Sequence, residues 1–255
     1  MIGDTSPKTA LPRLAAEFVV IVVGVLVALG VDGLVSWAND RELEAEYLER
    51  LLRDVEYDLA ELDFVAGVAE AARVYADSLL IPGVPDGWDG AHLVGAVTLA
   101  SNSRQADLSR GTFQELVQSG RIGLIRSPEL RSQLASYDRQ FLELVGFWDR
   151  APPDFQIWTR SRIPNRVIRA FREACGAPEA PSISDPVQVC PFEMDGWSTA
   201  GLRAELGSDE ARRLLHLHTW RIDGTVGIAR VFRAAAEELR TTVGNELGDR
   251  TGVRP

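Results

Sequence analysis

The chain has 255 residues, 25% of them charged and 45% apolar, with a formal net charge of −10 at neutral pH. That length suits one or two domains, and the composition is that of a folded chain. The acidic balance argues against a nucleic-acid partner, because phosphate binding needs a basic face.

The first element is LAAEFVVIVVGVLVALGVDGLVSW, Leu14 to Trp37. Phe18 to Trp37 carries a single charge, Asp32. As a helix its 20 residues span about 30 Å, the hydrocarbon thickness of a bilayer. Trp37 stands where an interfacial aromatic belongs. Asp32 lies near that end, within reach of the headgroup layer, which lowers the cost of its charge. A cleaved signal is the competing reading. Lys8 and Arg13 would form its basic region and Ala28-Leu29-Gly30 its cleavage site. A buried core helix is the third. The long preceding segment, Glu17 against the apolar run, and its continuation through Val31, Leu34 and Val35 favour an uncleaved anchor.

At about 100° per residue, Glu17, Gly24, Ala28 and Asp32 fall within a sector of about 80°. Small residues four apart let helices approach closely in lipid, and intramembrane carboxylates usually face a partner or water. Three readings stand: a packing face for self-association, two acids reaching opposite headgroup layers, or a proton or ion site.

From Asp40 the chain reads DRELEAEYLERLLRDVEYDLAELD without proline or glycine. Leu48, Leu52, Val55, Leu59 and Leu62 form a heptad-like stripe, continued by Val65, Ala69, Ala72, Ala76 and Leu79. Glu46 with Arg50, and Glu49 with Arg53, add pairs four apart in the favourable order. One helix from about Leu14 to Leu80 is expected, leaving the membrane as a stalk whose stripe packs on the chain's own later helices. IPGVPDGWDG, residues 81 to 90, breaks it. AHLVGAVTLA reads as a short helix. In RGTFQELVQSGRIGLIRSPELRSQLASYDRQFLELVGFW, Thr112 and Glu115 fit a capping box and Gly120 a helix end. Ser127 and Pro128 open the next helix as N-cap and first residue. Its apolar face is Leu130, Leu134, Tyr137, Phe141, Leu144 and Phe147.

The anchor ending in GVLVALGVDG, then ELEAEYLERLLRDVEYDL and TFQELVQSGRIGLIRSPELRSQLASY, resemble a bacterial family of unknown function. Its members are small single-span membrane proteins with a helical domain after the span. The shared features are an acid before the span, G-x-L-x-A-L within it, and an E-L-x-x-S-G-x-x-x-L-I turn. Here these are Glu17, Gly24 to Leu29, and Glu115 to Ile125. The resemblance covers about half the chain well and the C-terminal third loosely. Many relatives carry amides just after the span, where this chain has Asp32 and Gly33. The resemblance implies an architecture and no reaction.

WTRSRIPNRVIRAFREACG places Arg162, Arg166 and Arg169 on one face, opposite Val167 and Phe171. They form a candidate anion or lipid-headgroup patch, or a solvated face paired with the acidic stalk. Cys175 and Cys190 bracket a loop with three prolines. A disulfide closing about 15 residues would contribute roughly 3 kcal/mol and would imply an oxidising compartment. Two reduced thiols are the alternative, and no zinc pattern is present. Lys and Arg flank both ends of the span, so charge bias does not orient it. The expected disulfide does, placing the N-terminus in the cytoplasm. Ser198 is expected to cap a short helix. A last helix runs from about Asp209 to Glu246, with Leu214, Leu217, Ile228, Phe232, Ala235 and Leu239 buried and Ile222 and Val226 off that face. Gly224 and Gly227 suggest a kink.

No nucleophile elbow, phosphate loop, zinc-helix or dinucleotide motif occurs. His216 and His218 would point about 160° apart on a helix, so they are a poor metal pair. Each histidine reads best as a hydrogen-bonded packing residue. The expectation is therefore an all-α, non-enzymatic protein without cofactor or metal. It comprises a cytoplasmic segment (1–16), a transmembrane helix (17–38), a stalk (39–80) and a helical domain (81–250) of four to six further helices outside the inner membrane. Its expected partners are the membrane and either a second copy or another envelope protein. The alternative is a membrane-complex subunit whose polar stripe couples protons or ions.

Overall fold

The computed structural model describes residues 10–83, 85–148, 154–175 and 191–251. Helix α1 runs unbroken from Ala10 to Leu80, 71 residues, or about 105 Å at 1.5 Å per residue. It stops before Pro82, which disfavours helical backbone in the residue preceding it, and Gly83 turns the chain with φ of 82°. Among the described residues seven further α-helices follow, one more than the most the sequence suggests: α2 Gly90–Ala100, α3 Gly111–Gln118, α4 Pro128–Trp148, α5 Asp154–Arg162, α6 Asn165–Cys175, α7 Ala200–Leu206 and α8 Asp209–Thr251. No strand occurs among the described residues, so the fold is all-α.

α8 lies antiparallel along the stalk half of α1. Exposed ion pairs record the register: Asp63 with Arg233, Glu70 with Arg230 and Asp223 with Arg73. Residue numbers rise on one helix as they fall on the other. Such pairs add little energy at the surface. The energy lies in the seam beneath them. On α1 the buried positions Glu44, Leu48, Leu51, Val55, Asp58 and Leu62 advance by alternating steps of four and three, and continue through Val65, Ala69, Ala72 and Ala76. On α8 the same steps run through Ala211, Leu215, His218, Ile222 and Thr225, then Ala229, Phe232, Ala236, Leu239 and Val243. That period keeps a stripe facing one partner over many turns.

The seam corrects the expected face of α8. Leu217 is half exposed, while Ile222 is buried. Three of the seam positions are His218, Thr225 and alanine at 229, which hide the stripe from a hydrophobicity count. Nor does α8 break at its glycines. Gly224 instead admits the ring of Phe147 from α4, whose Cζ would lie 2.6 Å from an added Cβ.

Two cores flank the seam. The one nearer the apolar segment packs Tyr47 to Val65 of α1 against α3, α4 and the later half of α8. The distal one packs Tyr75 and Ala76 against α2, α5, α6, α7 and the start of α8. Between them Ala69, Ala72 and Ile222 form a thin waist. Asp89 caps α2, its carboxylate accepting the His92 N–H at 2.7 Å. Arg203 of α7 donates to the carbonyls of Pro85 and Trp88, fastening the loop after α1.

Candidate functional site

The sequence directs attention first to the span. Among the described residues one helix is long and apolar enough to cross a bilayer. Every residue from Glu17 to Glu42 is exposed, so Glu17, Gly24, Ala28 and Asp32 carry no cover from the rest of the chain. A Cβ at Gly24 would meet nothing within 4 Å. Trp37 closes the apolar run. Arg41 lies over its ring at 4.4 Å and Arg126, from the segment before α4, at 5.7 Å. The bundle therefore begins at the level of Trp37.

Above it, acids of α1 hold the connecting segment that carries α3. Four of them each accept a main-chain N–H. Glu44 takes Arg126 at 2.8 Å, Asp54 takes Thr112 at 3.3 Å, Asp58 takes Ser109 at 2.6 Å and Glu61 takes Asp107 at 3.3 Å. The capping-box expectation fails here for a tertiary reason. Thr112 lies inside α3, and Arg110, at the N-cap, makes no side-chain cap bond. Asp54 supplies the acceptor from another helix, which satisfies an orphan donor of the first turn. Glu115 is turned outward, accepting the Tyr47 hydroxyl at 2.8 Å and pairing with Arg50. Those hydrogen bonds hold its carboxyl below the usual range. Gly120 does end the turn, with φ of 70°, and the Ser127 hydroxyl does cap α4, accepting the Leu130 N–H at 3.2 Å.

Asp58, like Glu44, is fully buried among these acids. It is 1% exposed, and burial pushes its carboxyl up to about 6, against the lowering effect of the Ser109 N–H and the Tyr137 hydroxyl at 2.7 Å. Burial and the facing Asp58 raise the Tyr137 phenol in turn. Arg110 pairs with Asp138 beside them, Nε to Oδ1 2.9 Å. The adjoining cavity is about 30 Å³, the size of a water rather than a substrate. Sequence reading missed this set, since acids on a charged helix usually face solvent. The placement of Glu44 and Asp58 at seam positions was the available signal.

The arginines Arg162, Arg166 and Arg169 do not form one helical face. Ile163-Pro164 separates α5 from α6, so Arg162 ends one helix and the other two belong to the next. Arg162 Nε bonds Glu205 of α7 at 2.6 Å, and Arg166 faces Asp195 at 3.6 Å. Neither pairs with the stalk. Cys175 ends α6, and Cys190 lies outside the described residues. Ser198 accepts the Ala200 N–H at 3.3 Å, though Thr199 is the N-cap of α7.

The histidines separate by environment. His218 is buried, its Nε2 2.9 Å from the Ala100 carbonyl. Burial lowers its imidazole to about 4. The His92 ring lies against Trp88, 4.5 Å between centroids and tilted by 33°. His216 is exposed, contrary to the packing role expected of it. No group of three metal-ligating side chains converges among the described residues.

One feature the sequence did not suggest is a cleft of about 430 Å³ between α1, α2, α5 and α6. Arg104, Arg160 and Arg172 stand at its rim, and Thr98 and Thr159 line it. These residues lie far apart in sequence, so no local spacing announces them.

No family model, curated protein or solved structure matches the chain, so the resemblance drawn from its motifs rests on those residues alone.

Proposed function

We propose that this protein is a non-enzymatic, membrane-anchored helical module that binds a second copy of itself or another envelope protein. The observation that carries the reading is the division of α1. Its segment from Phe18 to Trp37 is exposed all round and apolar but for Asp32, and its second half is the backbone of a packed bundle. A helix built this way couples whatever the span contacts to the extramembrane domain without a hinge. On the bare half, the stripe of Glu17, Gly24, Ala28 and Asp32 is the side best suited to another helix, because small residues permit close approach and carboxylates need polar company. In this reading the N-terminus is cytoplasmic, the bundle extracytoplasmic, and Cys175 with Cys190 forms a disulfide there, in keeping with the resemblance to single-span bacterial proteins.

Photo-crosslinking in native membranes tests the proposal. A photoreactive side chain at Gly24 or Ala28 should capture a second copy or one defined protein. The same group at Val19 or Leu26, on the opposite side, should capture mainly lipid. Equal protein capture from both sides, or none from either, would refute the packing stripe.

A further inference from the structure

The cleft between α1, α2, α5 and α6 has the composition of a binding site. At about 430 Å³ it falls in the size range of small-molecule pockets. No acidic side chain among the described residues lines it, although the chain as a whole carries a net charge of −10. Arg160 and Arg172 have no ion-pair partner among the described residues. Arg104 is held differently, over the Phe64 ring at 4.5 Å with Glu61 at 3.8 Å. Guanidinium forks at the mouth of a low-dielectric cleft are suited to an oxyanion, which they bind through paired hydrogen bonds.

The lining provides a second, independent observation. Thr159 is 1% exposed, lines the cleft, and its hydroxyl has no hydrogen-bond partner. The Thr98 hydroxyl, also lining the cleft, is likewise buried without one. A helical threonine ordinarily donates to a carbonyl one turn back. Thr219, Thr225, Thr241 and Thr242 all do so in this protein. A buried hydroxyl left unpaired is costly, and rotation about χ1 that turned it to a ligand oxygen would relieve that cost. Val68, Leu99 and Phe171 supply apolar wall.

We propose that this cleft binds a soluble organic oxyanion, a carboxylate or phosphate ester carried on an apolar body. The arginines take the head and the wall takes the body. Bilayer lipids are out of reach, since Phe64 stands 27 residues beyond Trp37 on one continuous helix, or about 40 Å. The ligand therefore arrives from the aqueous phase.

Calorimetric titration of the full-length protein in lipid nanodiscs, with empty nanodiscs subtracted, tests this. The probes are 2-naphthoate and 1-naphthyl phosphate, with 2-naphthalenemethanol and inorganic phosphate as the neutral and body-free controls. Saturable one-to-one binding of either naphthyl anion, much weaker for both controls, is expected, and which anion binds tells carboxylate from phosphate ester. Arg160→Gln and Arg172→Gln should each weaken it at least about tenfold, while Arg240→Gln on the far part of α8 leaves it unchanged. Thr159→Val should weaken binding yet raise the melting temperature of the ligand-free protein, because it removes the unpaired hydroxyl. The arginines are exposed, so their loss leaves the fold intact, as helicity will report. Absence of saturable binding, equal binding of the neutral alcohol, or affinity indifferent to all three cleft variants would overturn the proposal.

Discussion

Asp58 and His218 occupy seam positions on facing helices, and burial acts on them in opposite senses. Asp58 has its carboxyl raised from 3.8 to about 6. The native state then holds a proton that the unfolded chain releases, so its contribution is full below about pH 4 and is lost as pH rises through 6. His218 has its imidazole lowered from 6.5 to about 4. Its contribution is full above about pH 6.5 and is lost as pH falls toward 4. Each shift corresponds to something on the order of 3 kcal/mol, so the two should nearly cancel across this window. Urea titration of the detergent-solubilised protein between pH 4 and 7 checks it. The parent should vary little. Asp58→Asn should leave stability rising with pH, and His218→Gln should leave it falling. Parallel profiles for all three proteins would mean that neither group is held as described.

At the scale of an element, α8 shows how two glycines of one helix can have different reasons. Gly224 meets the Phe147 ring, whereas a Cβ at Gly227 would meet nothing within 4 Å. Alanine is favoured over glycine in a helix interior by about 1 kcal/mol, and overpacking costs about 1–3 kcal/mol. Gly227→Ala should therefore stabilise by about 0.5–1 kcal/mol. Gly224→Ala should destabilise by about 1 kcal/mol, and adding Phe147→Leu should relieve most of that loss. Thermal unfolding of the three variants measures it. Stabilisation by both single changes would mean that the ring does not seat on the helix backbone. The same helix explains why Leu217 lies half exposed and Ile222 is buried. The seam follows a period of 3.5 residues, whereas a count of large apolar side chains on a straight helix follows 3.6 and drifts off it over several turns.

For the molecule as a whole, α1 makes the candidate span and the bundle one continuous rod, and compartment becomes the deciding property. In the proposed orientation the bundle lies in an oxidising environment. Intact mass of protein purified from membranes should then be full length and should gain two alkyl groups only after reduction. A mass beginning near Val31 would remove the span, and direct alkylation of both thiols in full-length protein would place the bundle in the cytoplasm. The cleft and the span are about 40 Å apart on the same helix, so ligand binding and span association are testable as separate properties.

The all-α class, the unbroken first helix, its bare apolar half and most of its buried stalk stripe were legible in residue order, though Leu51 rather than the expected Leu52 is the buried residue there. Those features depend on local spacing, on runs of apolar side chains and on the placement of Pro82 and Pro128. The Ser127 cap and the Gly120 turn were legible for the same reason, since each is made by residues within one turn. What residue order did not disclose was every contact made between helices. Asp54 caps α3 across 58 residues, Asp58 is buried by segments 51 and 79 residues away, and Arg162 answers to Glu205. The cleft draws its arginines and its unpaired threonines from α2, α5 and α6 and from the segment after α2. A carboxylate on a charged helix reads the same whether it faces water or a seam. Only the packing of a second helix against it decides which, because burial is a property of the partner's position and not of the residue.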